Sequence, residues 1–292
     1  MEINLEIDAK AKIGEGPIWS EAENRLYWID IDDYKLFRFD PVTGRNEVFN
    51  IDQPVGTVVP VSPNKVMLGI KDGIAYYDLT VKEMTLLYPL GPDMPNNRCN
   101  DGKCDPAGRF WVGTQDNELK DGAGALYCLD LDGTVHKKLE GLKNPNGIVW
   151  SLDHKAMYFI DTYTRKVDAF DFDIDTGNIA NKRTAVIIPV EFGVPDGMTM
   201  DINGNIWIGH FFGACISSWN PRSGALLQKI DIPSKNVTAC WFGGKDMMTL
   251  YVTTARAHTD KENLIKYPHA GGLFSIHTQV AGLPGQPYLG KI

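Results

Sequence analysis

The sequence predicts an all-β chain folded as a six-bladed β-propeller, and three observations carry that expectation. Short β-rich segments of similar make-up recur six times, and each is followed by a second strand-like segment that usually ends in a turn. Hardly anywhere does the apolar pattern follow the helical period of 3.6 residues. A length of 292 residues allows one such domain, expected to span 1–292, although length alone would equally allow two.

The recurring segments are RLYWID from Arg25, KVMLGI from Lys65, RFWVGT from Arg109, AMYFID from Ala156, NIWIGH from Asn205 and TLYVTT from Thr249. Their second residues are 26, 66, 110, 157, 206 and 250, so the intervals are 40, 44, 47, 49 and 44 residues. Such a period fits a repeat that contributes four strands to a blade. The following segments, among them KLFRFDPVTG, ALYCLDLDG and VDAFDFDIDTG, end in Gly after Asp, Asn, Ser or Thr, the residues of tight turns. One short stretch, DKENLIKY from Asp260, is a weak helix candidate. The N-terminal INLEID alternates apolar and polar residues and is expected to join the last blade, closing the ring and removing a free sheet edge.

In a propeller, residues just ahead of corresponding strands gather at one mouth of the central channel. Reading back 11, 9, 10, 11 and 10 residues from the first five core segments gives Glu15, Thr57, Asn100, Asn146 and Asp196, with Asn236 a looser sixth. The polar run NNRCND ahead of RFWVGT is therefore expected to be a turn that supplies the third blade's share of a common polar site. Taken singly, each of these residues is explained as well by turn formation; their common offset is what points to convergence.

Composition excludes several classes. A formal net charge of -8 with no cluster of Lys and Arg argues against a nucleic-acid surface. No apolar run reaches membrane-spanning length and MEINLEIDAK has no signal-peptide core, so a soluble, cytoplasmic protein without a membrane partner is expected. Five cysteines (Cys99, Cys104, Cys128, Cys215, Cys240) with no C-x-x-C pair suggest buried thiols in place of disulfides or a zinc ribbon. The sequon Asn236-Val237-Thr238 is then without consequence. DFDIDTG from Asp171 begins like a calcium loop, but Thr176 and Lys182 stand where that loop needs Gly and Glu, so it reads as a strand ending in a turn. Nucleophile-elbow, zincin, P-loop and dinucleotide motifs are absent. The six histidines show no metal-ligand spacing, and His210 reads as packed or partly exposed in preference to lining the channel.

Glu15, Asn146 and Asp196, with Asn100 beside them, make a set of oxygen donors without thiolate or imidazole. Such a set suits one hard divalent cation, calcium, magnesium or manganese before zinc, with positions left for water and substrate. A bound cation polarises a carbonyl while a carboxylate takes a proton from attacking water, which is enough to open an ester. Asp196, in a turn before Gly197, is the candidate base, and Arg98 offers a planar donor fork for substrate oxygens.

The segments GEGPIW, NNRCNDGKCDPAGRFWVGT, NGIVWSLDHKAMYFIDT, PDGMTMDINGNIWIG and CWFGGKDMMTLYVTTAR resemble, in order, the regucalcin (senescence marker protein), gluconolactonase and luciferin-regenerating family, from about Ile13 onwards. The resemblance implies a propeller with one divalent metal, calcium foremost, with zinc, manganese, magnesium or ferrous iron as alternatives, and hydrolysis of a sugar lactone. It implies metal ligands at Glu15, Asn146 and Asp196, a proton-transfer role for Asp196, and substrate contacts from Arg98, Asn100 and Glu118. The stretch TTARAHTDKENLIKYPHAGGLF is similar to the sugar lactonase branch, which implies a carbohydrate substrate. Two competing expectations stand beside this one: a calcium-binding regulatory protein without turnover, and an enzyme acting on phosphotriesters or aryl esters. The oligomeric state is left open.

Overall fold

In the computed structural model, which describes residues 2–91 and 94–292, 24 strands numbered β1–β24 in chain order form six four-stranded antiparallel sheets. Five sheets each use four consecutive strands, and the sixth combines β22, β23 and β24 with β1 (Ile3–Ile7). Ile3 lies opposite Ile276 and Leu5 opposite Phe274, so the first strand closes the ring as the alternation in INLEID predicts.

The six repeated segments are the second strands of the blades: β3 (Arg25–Asp30), β7 (Lys65–Ile70), β11 (Phe110–Asp116), β15 (Ala156–Asp161), β19 (Ile206–Phe211) and β23 (Thr249–Ala255). Each is hydrogen-bonded on both edges and faces neighbouring blades, which is why its residues are nearly all buried and apolar. Outer strands such as β13 (Val135–Leu142) and β21 (Ala225–Asp231) are mostly exposed or half-buried. Apolar side chains between blades form the core, including the fully buried Trp28, Trp111, Phe39 and Phe242.

Two turns repeat one design. Asp105 accepts hydrogen bonds from Ala107 N (2.9 Å), Arg109 N (3.0 Å) and Trp111 Nε1 (3.0 Å); Asp201 does the same for Asn203 N, Asn205 N and Trp207 Nε1. A buried carboxylate thereby satisfies both the turn amides and an indole of the next strand.

The first strands, β2 (Gly14–Ser20), β6 (Val55–Ser62), β10 (Asn97–Cys104), β14 (Pro145–Trp150), β18 (Val194–Met200) and β22 (Asn236–Gly243), pack against one another around the channel. Here the expectation from sequence needs correction. The polar run before RFWVGT is not a turn: most of it is β10, and Asp196 lies inside β18. These strands line a polar channel, so they lack the apolar alternation by which a strand is recognised.

Smaller expectations hold. Residues Lys261–Lys266 form a helix whose cap, Asp260, accepts from Asn263 N at 2.8 Å. DFDIDTG ends β16 (Lys166–Asp173) in a turn closed by Gly177 N on Asp173 O at 2.8 Å. All five cysteines are buried free thiols. His210 is fully buried, 2.6 Å from Ser217 Oγ. Among the described residues no helix is long and apolar enough to cross a membrane.

Candidate active site

Every inner strand is bulged at the corresponding place. Its register against the second strand shifts between Glu15 and Ile18, Val55 and Thr57, Cys99 and Gly102, Pro145 and Ile148, Pro195 and Met198, and Val237 and Ala239. A bulge sets an extra residue against the partner strand and re-aims its side chain. Glu15, Asn100, Asn146 and Asp196 lie at or inside four of these bulges, and together with Arg98 they line one cavity of about 430 Å³. Two glycines permit the crowding: a Cβ at Gly147 would stand 2.6 Å from Met198 Cγ, and one at Gly197 2.4 Å from Ala239 Cβ.

At the two remaining positions picked out in the sequence the side chains are structural. Thr57 Oγ1, at the second bulge, donates to Gly102 O (2.8 Å), and Asn236 Nδ2, just before the sixth bulge, donates to Ala257 O (2.8 Å) and Thr259 Oγ1 (3.0 Å). Four of the six aligned positions therefore converge on the cavity, and two tie neighbouring segments together. Glu118 is exposed and is not among the residues that line the cavity, which its neighbours Asn117 and Leu119 reach.

Charge at the site is poorly solvated. Burial, then repulsion from Asp101, pushes the Glu15 carboxyl up from 4.5 to about 8, although Gly16 N donates to its Oε2 at 2.7 Å. Asp196 is raised well above the usual carboxylate range by burial and then by Glu15, against a hydrogen bond from Asn146 and the charge of Arg98. Asn146 also donates to Thr162 Oγ1 (2.9 Å), which leaves its amide oxygen as an available acceptor. Arg98 Nη1 donates to Cys99 O (2.9 Å) and Asn100 Oδ1 (2.7 Å), and Asn100 Nδ2 is fixed by Pro145 O (2.8 Å) and Asn144 Oδ1 (3.2 Å). Asn100 thus holds one arm of the guanidinium, whose other nitrogens remain for a ligand. Burial lowers the Arg98 guanidinium from its ordinary value, while Asp32, Glu15 and Asp196 favour its charged form.

Residues unmarked by sequence reasoning complete the lining, notably Asp32, Gln115, Tyr163, Phe211, Phe212 and His258. Gln115 is the most informative, because its Oε1 is buried without a hydrogen-bond partner. It lies opposite Arg98 in the β10–β11 register, so pairing the polar strand with RFWVGTQD would have revealed it. Phe211 and Phe212 meet edge to face at 4.7 Å and give the mouth an aromatic side.

The donor set fits a divalent cation. Both carboxyls are raised by burial and by neighbouring negative charge, Glu15 by Asp101 and Asp196 by Glu15, a free amide oxygen stands beside them, and a bound cation would favour the ionised form of both. Among the described residues no group of three or more His, Cys, Asp or Glu side chains could hold a metal, so the fit rests on two carboxylates plus the Asn146 amide.

The fold and site define a six-bladed propeller with a buried acid and amide cluster at one mouth of its channel. The family described as SMP-30/Gluconolactonase/LRE-like region matches residues 13–256, and the chain belongs to it. It is 36% identical to regucalcin of Danio rerio over 99% of each chain. It is 35% identical, over the full length of both, to YvrE of Bacillus subtilis (strain 168), provisionally named a sugar lactone lactonase. Among solved structures it resembles a luciferin-regenerating enzyme (29% identity, 98% of each chain, TM-score 0.91). It also resembles the calcium-binding protein regucalcin of Agrobacterium tumefaciens (27% identity, 97% of this chain and 96% of that one, TM-score 0.93).

Proposed function

We propose that the protein hydrolyses a sugar lactone, an aldonolactone such as gluconolactone, to the corresponding aldonic acid with the help of one divalent metal ion. The observation that carries this reading is that two desolvated carboxyls, Glu15 and Asp196, and the Arg98 guanidinium line one cavity of ligand size. Names borne by relatives point the same way, since the family is described in part as gluconolactonase and YvrE by its name as a lactonase.

In this reading Glu15, Asn146 and Asp196 would hold the ion, with calcium the first candidate because a similar solved protein is described as calcium-binding. A bound divalent ion supplies Lewis acidity toward the ester carbonyl and favours the ionised carboxylates. The remaining steps belong to the chain. Arg98, braced by Asn100, donates to lactone oxygens through its unoccupied nitrogens. Asp196, as carboxylate, takes a proton from the attacking water and returns it to the ring oxygen as that oxygen leaves, yielding a hydroxy acid. Gln115 Oε1 accepts from a sugar hydroxyl, and the aromatic side at Phe211 and Phe212 shields the site. Glu118, exposed beyond the lining, is given no contact in this scheme.

The test is a pH-indicator assay of several aldonolactones with metal-stripped protein re-supplied with calcium, zinc, manganese, magnesium or ferrous iron. Metal-restored turnover is the expected result. Calcium binding with no turnover on any lactone would replace the proposal with the regulatory reading. Larger specificity constants on phosphotriesters or aryl esters would change the substrate class.

A further inference from the structure

A second cavity, of about 270 Å³, lies at the other mouth of the channel, where the inner strands β10, β14, β18 and β22 end. The C-terminal segment crosses this mouth and forms one wall through Leu283, held by Leu283 N on Met200 O at 3.1 Å.

Three of its lining side chains, Trp150, Thr199 and Trp241, carry a buried polar atom without a hydrogen-bond partner: two indole Nε1 and one Oγ1. They come from three successive inner strands, and each residue is more than nine-tenths buried. Of the other five indoles four are paired, since Trp28, Trp111, Trp207 and Trp219 all donate to side-chain oxygens. An indole nitrogen can only donate, so the unmet demand here is for an acceptor. Lys103 lines the same cavity. Its ammonium bonds Asp101 Oδ1 (2.9 Å) and Gly102 O (3.2 Å), keeps one N–H, and stands 5.5 Å from the Trp241 ring centre. No Asp or Glu is among the lining residues described, while Ile148 and Leu283 contribute apolar wall.

We propose that this cavity is a second binding site, for a small organic carboxylate with a compact apolar body. Its carboxylate oxygens accept from the Trp150 and Trp241 indoles, the Thr199 hydroxyl and the spare Lys103 N–H, and its body rests on the apolar wall. Such a ligand meets four donors that a polyhydroxylated sugar would match less well, because the wall offers little for hydroxyl groups to bond.

The test uses the intact chain without added metal or lactone, so it stands or falls apart from the hydrolytic reading. Benzoate is titrated by calorimetry and by tryptophan fluorescence, with benzamide as the uncharged body and inorganic phosphate as the bare anion. One saturable benzoate site with Kd of about 1 mM or tighter is expected, with benzamide and phosphate each at least about tenfold weaker. Thr199→Val and Trp241→Phe should each weaken benzoate about fivefold or more. Thr199→Val is nearly isosteric and carries the test alone if Trp241→Phe does not fold. Absence of saturable binding, equal binding of benzamide or phosphate, or unchanged affinity in folded Thr199→Val would overturn the proposal.

Discussion

Glu15→Gln should stabilise the metal-free protein, and more at high pH than at low. The folded state keeps a proton on Glu15 up to about pH 8, whereas the unfolded chain releases it near 4.5. Folding therefore takes up a proton between these values, and stability falls as pH rises through that window, then levels above about 8. The displacement from 4.5 to about 8 corresponds to a ceiling of roughly 5 kcal/mol. For a chain of 292 residues, with an unfolding entropy of roughly 0.6 kcal/mol per kelvin, this is at most a change of roughly 8 K in Tm. Gln keeps an oxygen for Gly16 N, removes the charge, and relieves Asp196, whose carboxyl Glu15 helps to raise. Thermal unfolding of metal-stripped wild-type and variant protein at one scan rate, from about pH 5 to about pH 9, provides the measurement. Wild-type Tm should fall across the range, and the variant should lose most of that slope. Parallel curves, or a wild-type Tm that rises with pH, would refute the claim that burial and neighbouring negative charge hold a proton on Glu15.

Other perturbations address the chemistry and the scaffold. Asp196→Asn should lower metal-restored lactone hydrolysis by about 10²–10⁴-fold while circular dichroism stays unchanged; retained turnover in the folded variant would remove Asp196 from its role. Gln115→Leu should raise KM about fivefold or more for a lactone that bears the matching hydroxyl, with kcat within about twofold; the deoxy analogue should show no such difference. Gly197→Ala places a Cβ 2.4 Å from Ala239 Cβ and should cost about 1–3 kcal/mol, read as a fall of roughly 2–5 K in Tm. Removing residues 2–9 deletes the strand that pairs with β24 (Leu273–His277) and should lower Tm, with earlier protease cleavage in the exposed last blade.

The blades were legible because their second strands are buried on both faces, which imposes the same apolar hexamer six times. Ring closure was legible too, since INLEID has one apolar face and no helical period. The inner strands were misread, because NRCNDGKC has Asn, Asp and Gly where an ordinary strand has Val or Ile; those residues serve the channel and the bulge. The same regular offset that found Glu15, Asn100, Asn146 and Asp196 also gathered Thr57, which, like the looser sixth candidate Asn236, is spent on hydrogen bonds to neighbouring segments. Offset reports a residue's place along a strand, and only packing decides what it faces. Gln115 escaped because its signal is a cross-strand partner, visible only once β10 is known to be a strand.

The sixfold bulge has a consequence for how such a protein can change. Each blade presents an equivalent socket to the channel, and the sheet hydrogen bonds that hold the blade resume on either side of it. Four sockets carry polar side chains into the cavity, while those of the second and sixth blades carry threonines at Thr57 and Thr238, bonded to backbone oxygens of an adjoining blade. New chemistry can enter by exchanging one side chain in one socket, provided the hydrogen bond it gave up is replaced. A scaffold of this kind separates the cost of staying folded from the choice of what to bind.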